Sequence, residues 1–319
     1  MPSDLSHGSN TLNNQQLVIG LGPLGRRVVE ELRTRGIPVV AASRNRVEGL
    51  GAEWRQLDAS DAEQVRAVAA DCEVVHLCAA PPLTSWVEEF DALVGGLLDG
   101  LRDSGKTLVF ASNLYAYGPQ QGTLTEASPE LATGPKGALR KRLDRRVLDA
   151  PGLRTAVVRG ASFYGPGVET SMAGRSELAA LAAGKPVPAL GSVDQPHTMT
   201  YIDDFARAMV NVASSDSALG QVWHAPMQEP TTHRELMTAF GEVLGAQPKF
   251  RIAGPAVMNL MSLFNPTMKA LKETFYTYTS PHVADSSKYA AAFGEAATPL
   301  KEAVTLTVQS AGLASSGRS

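Results

Sequence analysis

Cysteine is scarce in this sequence, since Cys72 and Cys78 are the only two among 319 residues. Two cysteines in one apolar, strand-like run argue against a disulfide framework, and without a second Cys/His cluster we expect no metal site. Long apolar runs are also missing, because none reaches the ~18 residues that would span a bilayer. The polar N-terminus lacks the basic-then-apolar pattern of a signal peptide.

Neither sign of charge dominates, because 29 basic residues stand against 32 acidic ones and the net charge is −3. This balance gives no reason to expect binding to nucleic acid or to an anionic membrane surface. We therefore expect a cytoplasmic protein whose partner is a small molecule, with no nucleic-acid or membrane partner.

Apolar residues make up 44% of the chain, which is enough for a normal buried core. Strand-like and helix-like segments alternate from residue 16 to about 159, and this alternation predicts right-handed βαβ units. The expected fold is therefore α/β: a Rossmann doubly wound parallel sheet with a smaller C-terminal lobe. We assign 16–165 to a dinucleotide-binding domain and 166–311 to a substrate-binding lobe with segments that return to the sheet. Residues 1–15 and 312–319 are expected to be flexible tails.

The first strand-like segment is followed by the sequence GLGPLG and then by a helix-like segment. Gly20, Gly22 and Gly25 fit the pattern GxGxxG. The first glycine permits a tight turn, the second lets the backbone approach a pyrophosphate, and the third lets the helix pack closely on the strand. Pro23 and Leu24 lie between them, at the helix N-terminus that faces the phosphates. This loop predicts a dinucleotide site, and an ordinary glycine-rich turn is the alternative.

The end of the second predicted strand decides which dinucleotide is favoured. NAD sites usually carry Asp or Glu there, for the ribose 2′-hydroxyl. This chain has Ser43 and Arg44 instead, which suit the 2′-phosphate of NADP(H), although both could be solvated loop residues. We therefore expect NADP(H) over NAD(H). Further positions expected in the groove are Asp58, for the adenine amino group, and Cys78, Ala79 and Ala80 at the end of the fourth strand.

Five segments in order carry a resemblance: GLGPLG, VVHLCAA, FASNLYAYGP, VVRGASFYGPG and TYIDDFARA. Together they resemble the extended and atypical short-chain dehydrogenase/reductases, and more narrowly the NAD-dependent epimerase/dehydratase proteins. The resemblance implies a Rossmann domain with a smaller C-terminal substrate domain and hydride transfer at a carbon that bears oxygen. It also implies either a monomer or the family's common homodimer.

The chain departs from the family at the catalytic pair. The resemblance implies a YxxxK pair after a Ser or Thr, but the aligned positions hold Lys136 and Arg140, and the Ser/Thr position falls on Asn113. Helical spacing puts Lys136 and Arg140 on one otherwise apolar face, where they either serve the cofactor or snorkel to solvent. We expect Tyr115 to be the proton donor, with Lys136 as the alternative donor. Lys136 and Arg140 would hold the ribose and lower the phenol's pKa, and Asn113 would orient the substrate.

Further candidates are weaker. Arg159 should end the sixth strand beside the nicotinamide. Tyr117 and Tyr164 each precede a Gly-Pro pair, so they either contact substrate or pack a turn. His197 could relay a proton or make a structural hydrogen bond.

The sequence thus predicts an enzyme, an NADPH-dependent reductase of a carbonyl, C=N or conjugated group on a small, apolar or aromatic substrate. The apolar nature of the substrate is suggested by Met, Phe and Tyr in residues 255–277, which could equally form a packed core of the lobe. Two alternatives stay open. One is an NAD-dependent sugar or polyol epimerase or dehydratase, and the other is a non-catalytic redox sensor that binds NADP(H).

Overall fold

A computed structural model describes residues 15–313, so the expectations for residues 1–14 and 314–319 lie outside the described part of the chain. The described residues form thirteen strands. They are β1 (Gln16–Ile19), β2 (Val39–Ser43), β3 (Glu53–Gln56), β4 (Val74–Leu77), β5 (Thr107–Asn113), β6 (Arg154–Gly160), β7 (Ser162–Tyr164), β8 (Val187–Leu190), β9 (Pro196–His197), β10 (Met199–Tyr201), β11 (Val222–His224), β12 (Thr231–Thr232) and β13 (Phe250–Ala253).

The α-helices of the described residues alternate with the strands in the first half of the chain and dominate the second half. They are α1 (Pro23–Thr34), α2 (Ala62–Val68), α3 (Trp86–Leu101), α4 (Pro135–Leu148), α5 (Arg175–Ala182), α6 (Ile202–Ala213), α7 (His233–Leu244), α8 (Pro255–Phe264), α9 (Pro266–Lys272), α10 (Tyr276–Thr279), α11 (Ser287–Phe293) and α12 (Leu300–Ser310). Within residues 15–313, no helix has both the length and the apolar character needed to cross a membrane.

The central sheet has seven parallel strands in the order β11-β6-β5-β4-β1-β2-β3. One buried cluster joins α1 and α6 to one face, and a second joins α2, α3 and α4 to the other. Both faces are therefore covered, which explains why the strands are almost continuously apolar. This is the predicted Rossmann fold, and the chain reverses direction across the sheet between β1 and β4, where such folds bind ligands.

The C-terminal half has its own apolar cluster, built from α5, α7, α12 and short strands. It also sends β11 and α6 back to the central sheet. Two Ser/Thr-x-x-Glu patterns in the sequence each predict a capping box at a helix N-terminus. At Thr232 and Glu235 the box is present and begins α7. At Ser60 and Glu63 it is not, because the side chain of Asp61 caps α2 while Ser60 donates to Asp58.

Candidate active site

A groove of about 770 Å³ runs along the carboxyl ends of β1, β2, β4 and β5. Parallel strands bring their carboxyl ends to one edge of the sheet, so residues far apart in sequence meet there. The predicted site residues that line the groove are Gly20, Gly22, Pro23, Leu24, Ser43, Arg44, Asp58, Cys78, Ala79, Ala80, Asn113, Tyr115 and Arg140.

The glycine loop has the geometry that a bound pyrophosphate requires. Gly20 has a φ of 93°, and a Cβ there would lie 2.4 Å from the backbone of Ala79. A Cβ on Gly25 would lie 1.9 Å from the carbonyl oxygen of Gly20, so Gly25 brings helix and strand together without itself lining the groove. A Cβ on Gly22 would meet nothing within 4 Å. Of the three glycines, only Gly22 therefore leaves open space beside it. Gly22 stands at the start of α1, and no side chain caps the first turn of this helix.

The end of β2 carries no carboxylate in the groove. The Ser43 hydroxyl donates to the carbonyl oxygen of Asn45 at 2.7 Å and accepts from Trp54 Nε1 at 3.0 Å. Arg44 is exposed, and its guanidinium forms no hydrogen bond or ion pair among residues 15–313. The carboxylate of Asp58 accepts hydrogen bonds from Ser60, which lower its pKa. The end of the groove at β2 thus offers a hydroxyl and a cation that has no ion-pair partner in the described part of the chain.

The wall at the end of β4 is apolar. Cys78 lies against Gly25, and burial raises the pKa of its thiol to about 12. A thiol with this pKa stays protonated at neutral pH and is a poor nucleophile. The burial of Cys78 therefore favours packing against the loop over a role as a nucleophile.

Asn113 ends β5, Tyr115 follows it, and both residues line the groove. The Asn113 side-chain oxygen accepts a hydrogen bond from the Tyr115 backbone N–H at 3.0 Å, which leaves the Asn113 amide N–H groups free for a ligand. Burial raises the pKa of the Tyr115 phenol, and the hydroxyl of Thr274 and the charge of Arg140 oppose that rise. The phenol is therefore protonated at neutral pH.

Arg140 is a buried cation on an aromatic surface. Its guanidinium carbon lies 4.5 Å from the ring centre of Trp86 and 4.4 Å from that of Phe90, which is the geometry of a cation–π contact. Its Nη1 donates weakly to the carbonyl oxygen of Ala111 at 3.4 Å, and Nε has no partner in the described residues. Burial lowers the pKa of Arg140 to about 10, so the group is still charged at neutral pH. A ribose hydroxyl or a phosphate in the groove would complete its hydrogen bonding.

Lys136 turns away from the groove. Its Nζ lies 3.4 Å from Oε2 of Glu273, and Oε1 of Glu273 accepts from the Lys136 backbone N–H at 2.7 Å. The same carboxylate thus closes the N-terminus of α4 and neutralises the lysine. Lys136 is not among the residues that line the groove, and its position differs from the predicted ribose contact. The reason is Glu273, which lies 137 residues further along the chain.

Arg159 also lies elsewhere than expected. Its guanidinium is almost fully buried between Asp144, at 2.7 Å, and Glu130, and it stacks on the ring of Tyr117. Asp144 accepts a further hydrogen bond from Ser112 at 2.7 Å. The side chain is held under the sheet edge by two carboxylates, so it forms a structural ion-pair network and does not line the groove.

The three weaker substrate candidates are likewise absent from the groove lining. Tyr117 shares a 2.7 Å hydrogen bond with His224, and the Tyr164 hydroxyl donates to Gln228 at 2.9 Å. His197 Nε2 forms a hydrogen bond with the carbonyl oxygen of Thr277. These contacts favour the packing and structural hydrogen-bond alternatives for all three residues.

Sequence reasoning missed several groove residues. Trp86 and Phe205 line it, and Trp86 supports both Arg140 and the ring of Tyr115. The position of Trp86 at the N-terminus of α3, the first α-helix after β4, was a usable signal. Among residues 255–277, expected as a possible pocket wall, none lines this groove.

The fold and this groove define a Rossmann protein with a dinucleotide site of the extended short-chain dehydrogenase/reductase type. The chain belongs to the NAD-dependent epimerase/dehydratase family, whose profile matches residues 16–224. It is therefore a member of a family of nicotinamide-dependent enzymes. No curated protein sequence matches the chain.

Solved structures show the same fold at low identity. MoeE5 in complex with UDP-glucose and NAD is 21% identical, with a TM-score of 0.73, over 93% of this chain and 98% of that one. The UDP-glucose 4-epimerase of Thermotoga maritima with UDP-glucose is 18% identical, with a TM-score of 0.74 and the same coverage. The UDP-glucuronic acid 4-epimerase of Bacillus cereus with NAD is 16% identical, with a TM-score of 0.74, again over 93% and 98% of the two chains.

Proposed function

We propose that the protein is a nicotinamide-dependent epimerase or dehydratase that acts at a hydroxyl-bearing carbon of a small polyhydroxylated substrate. The observation that carries this proposal is the meeting of Asn113, Tyr115 and Arg140 in the groove that also holds the glycine loop. Family membership supports this reaction type, and the sugar-nucleotide ligands of the structural neighbours support a polyhydroxylated substrate.

The residues present fit a dinucleotide. The first turn of α1 and the open space at Gly22 would take the pyrophosphate, and the unpartnered Nε of Arg140 would meet the ribose next to the nicotinamide. The bound dinucleotide would supply the hydride acceptor and donor.

The chain's own residues handle the proton. Oxidation of a carbinol requires loss of the hydroxyl proton, and reduction of a carbonyl requires its return. Tyr115 is the acid–base group in this proposal, since its phenol is protonated at neutral pH and lies near the positive charge of Arg140. The free amide of Asn113 would orient the substrate oxygen. Lys136 stays the alternative proton donor, although its pairing with Glu273 disfavours that role.

A second candidate is the NADPH-dependent reductase. It is favoured by one observation, the exposed Arg44 beside Ser43, where NAD sites usually carry a carboxylate and where Arg44 has no ion-pair partner among residues 15–313. This arrangement suits NADP(H), which commonly exchanges with solution as a co-substrate.

The two candidates differ in what happens to the cofactor. We would purify the full chain, denature it, and identify the released dinucleotide by chromatography and absorbance. The epimerase or dehydratase should retain its dinucleotide and convert a sugar nucleotide, followed by NMR, without net loss of NADPH. A reductase should consume NADPH in proportion to the carbonyl substrate added. Tight binding without turnover in either assay would identify the redox sensor and overturn both enzymatic proposals.

A further inference from the structure

Helix α8 is apolar and almost entirely exposed. Of its ten residues, only Met258 and Ser262 are buried, and the helix PAVMNLMSLF contains no charged side chain. Leu263 is 73% exposed and Phe264 is 83% exposed. Helices on protein surfaces normally direct their apolar side chains towards a core, and α8 directs most of them outwards.

This exposure is concentrated in one place. Nine large apolar side chains are exposed among the described residues, and six of them lie between residues 252 and 264. We call these six the α8 surface: Ile252, Val257, Leu260, Met261, Leu263 and Phe264. Single exposed apolar residues need no explanation, but a contiguous group indicates a binding surface.

The charges on either side of the α8 surface have one sign. No acidic residue occurs between Glu242 and Glu273, whereas four basic residues do. They are Lys249, Arg251, Lys269 and Lys272, all exposed. None forms an ion pair within residues 15–313. The chain as a whole carries a net charge of −3, so this segment is a local exception to its acidic balance.

From this we propose that the protein docks on an anionic lipid surface through α8. The helix is too short to span a bilayer, but an apolar helix with basic flanks can lie in the interface. Its Leu and Phe side chains would enter the boundary with the acyl chains, and the four cations would meet anionic headgroups. The expectation of no membrane partner rested on the balanced charge of the whole chain, which hides this local distribution. The proposal is independent of the proposed function.

Sedimentation with vesicles tests the docking directly. The full chain should pellet with vesicles of phosphatidylcholine and phosphatidylglycerol, and much less with phosphatidylcholine alone. Binding should weaken as salt rises, because the headgroup attraction is screened. Failure to pellet with anionic vesicles at low salt overturns the proposal and leaves a protein partner as the occupant of the α8 surface.

Matched variants locate the binding site. Leu260→Ser with Phe264→Ser should lower the partition coefficient by about tenfold or more, since two apolar side chains no longer enter the lipid. Leu306→Ser, at another exposed leucine on α12, should leave it unchanged. Lys269→Gln with Lys272→Gln should lower it only for anionic vesicles, and the exposed pair Lys185→Gln with Lys301→Gln should not.

Two further measurements exclude misfolding of the variants and self-association through α8 as explanations. Circular dichroism and thermal melts should match wild type for all variants, because the changed side chains are exposed. Sedimentation velocity without lipid should give the same mass for wild type and for Leu260→Ser with Phe264→Ser. A wild-type dimer that this variant converts to monomer would show that a second copy covers α8 and would overturn lipid docking.

Discussion

At the scale of single residues, the groove brings together Asn113, Tyr115 and Arg140 where the resemblance implied a Tyr-Lys pair. Arg140 stands where the resemblance implied the lysine, and it is held over Trp86 and Phe90. Its charge acts on the Tyr115 phenol, although burial lowers the arginine pKa to about 10. Lys136 takes the tyrosine position and is neutralised by Glu273. The proton-handling role therefore falls to Tyr115 in the proposed reaction.

Replacing the phenol tests that assignment. Tyr115→Phe removes the proton donor but keeps the ring that lies against Trp86, so kcat should fall by about 10²-fold or more while Kd for the cofactor stays unchanged. Arg140→Ala should instead weaken cofactor binding, and Arg140→Lys should restore part of it. Full activity of Tyr115→Phe on the true substrate would exclude this role, and loss of kcat only in Lys136→Ala would move the acid to Lys136.

The unpaired cation at the end of β2 gives a second residue-scale prediction. A contact between Arg44 and a 2′-phosphate is charge-assisted, so Arg44→Ala should weaken NADPH binding by about tenfold or more and leave NADH almost unchanged. Fluorescence titration with both dinucleotides measures this, and Arg175→Ala, at an exposed arginine on α5, serves as the control. Tighter binding of NADH than NADPH by the wild type would show that the NADP(H) preference is wrong.

At the scale of elements, the glycines in the turn from β1 to α1 have two different roles, packing and ligand binding. Gly20 and Gly25 are required because a Cβ at either position would enter the backbone. Gly22 is different, because its φ of −69° is open to any residue and its Cβ would point into free space. The loop therefore contains one glycine whose purpose is the ligand.

Substitution within the loop should reveal this difference. Gly22→Val should leave the protein folded, with the circular dichroism spectrum and melting temperature of wild type, but should abolish dinucleotide binding because the side chain fills the space for the pyrophosphate. Gly25→Ala should lower the melting temperature as well, since its Cβ would lie against the carbonyl oxygen of Gly20. Undiminished cofactor affinity in a folded Gly22→Val protein would contradict the phosphate-loop assignment.

At the scale of the whole molecule, buried histidines link stability to pH. Burial lowers the pKa of His233 from 6.5 to about 4, that of His282 to about 4 and that of His76 to about 3. Below pH 6.5 the unfolded chain binds protons that the folded chain does not, so the free energy of unfolding falls with decreasing pH. Above pH 6.5 the buried histidines do not reduce the free energy of unfolding. Stability is lost as the pH falls from 6.5 towards the folded-state pKa of each histidine.

Replacing one histidine measures its contribution to the pH dependence of the free energy of unfolding. The His233 ring bonds the carbonyl oxygen of Met172 at 2.6 Å, and the amide of a glutamine can donate the same bond without titrating. Between pH 7 and pH 5, His233→Gln should lose about 2 kcal/mol less unfolding free energy than wild type, measured by urea denaturation. An equal loss in both proteins would show that His233 does not titrate on unfolding in this range.

The sequence alone determined the order of elements as far as β6, the Rossmann sheet, the glycine loop and the carboxyl-edge positions from Ser43 to Tyr115. These features depend on neighbours within a few residues, through apolar periodicity, glycine geometry and the rule that parallel strands end at one edge. Local pattern is therefore sufficient for them.

Only the tertiary structure decided how the cations are used and where α8 lies. Lys136 meets Glu273 across 137 residues, Arg159 is enclosed by Glu130 and Asp144, and Arg140 alone of the three lines the groove. Helical spacing placed Lys136 and Arg140 on one face but could not name their partners. A buried charge takes whichever carboxylate, aromatic ring or ligand the packing brings to it, and that choice depends on contacts between distant segments.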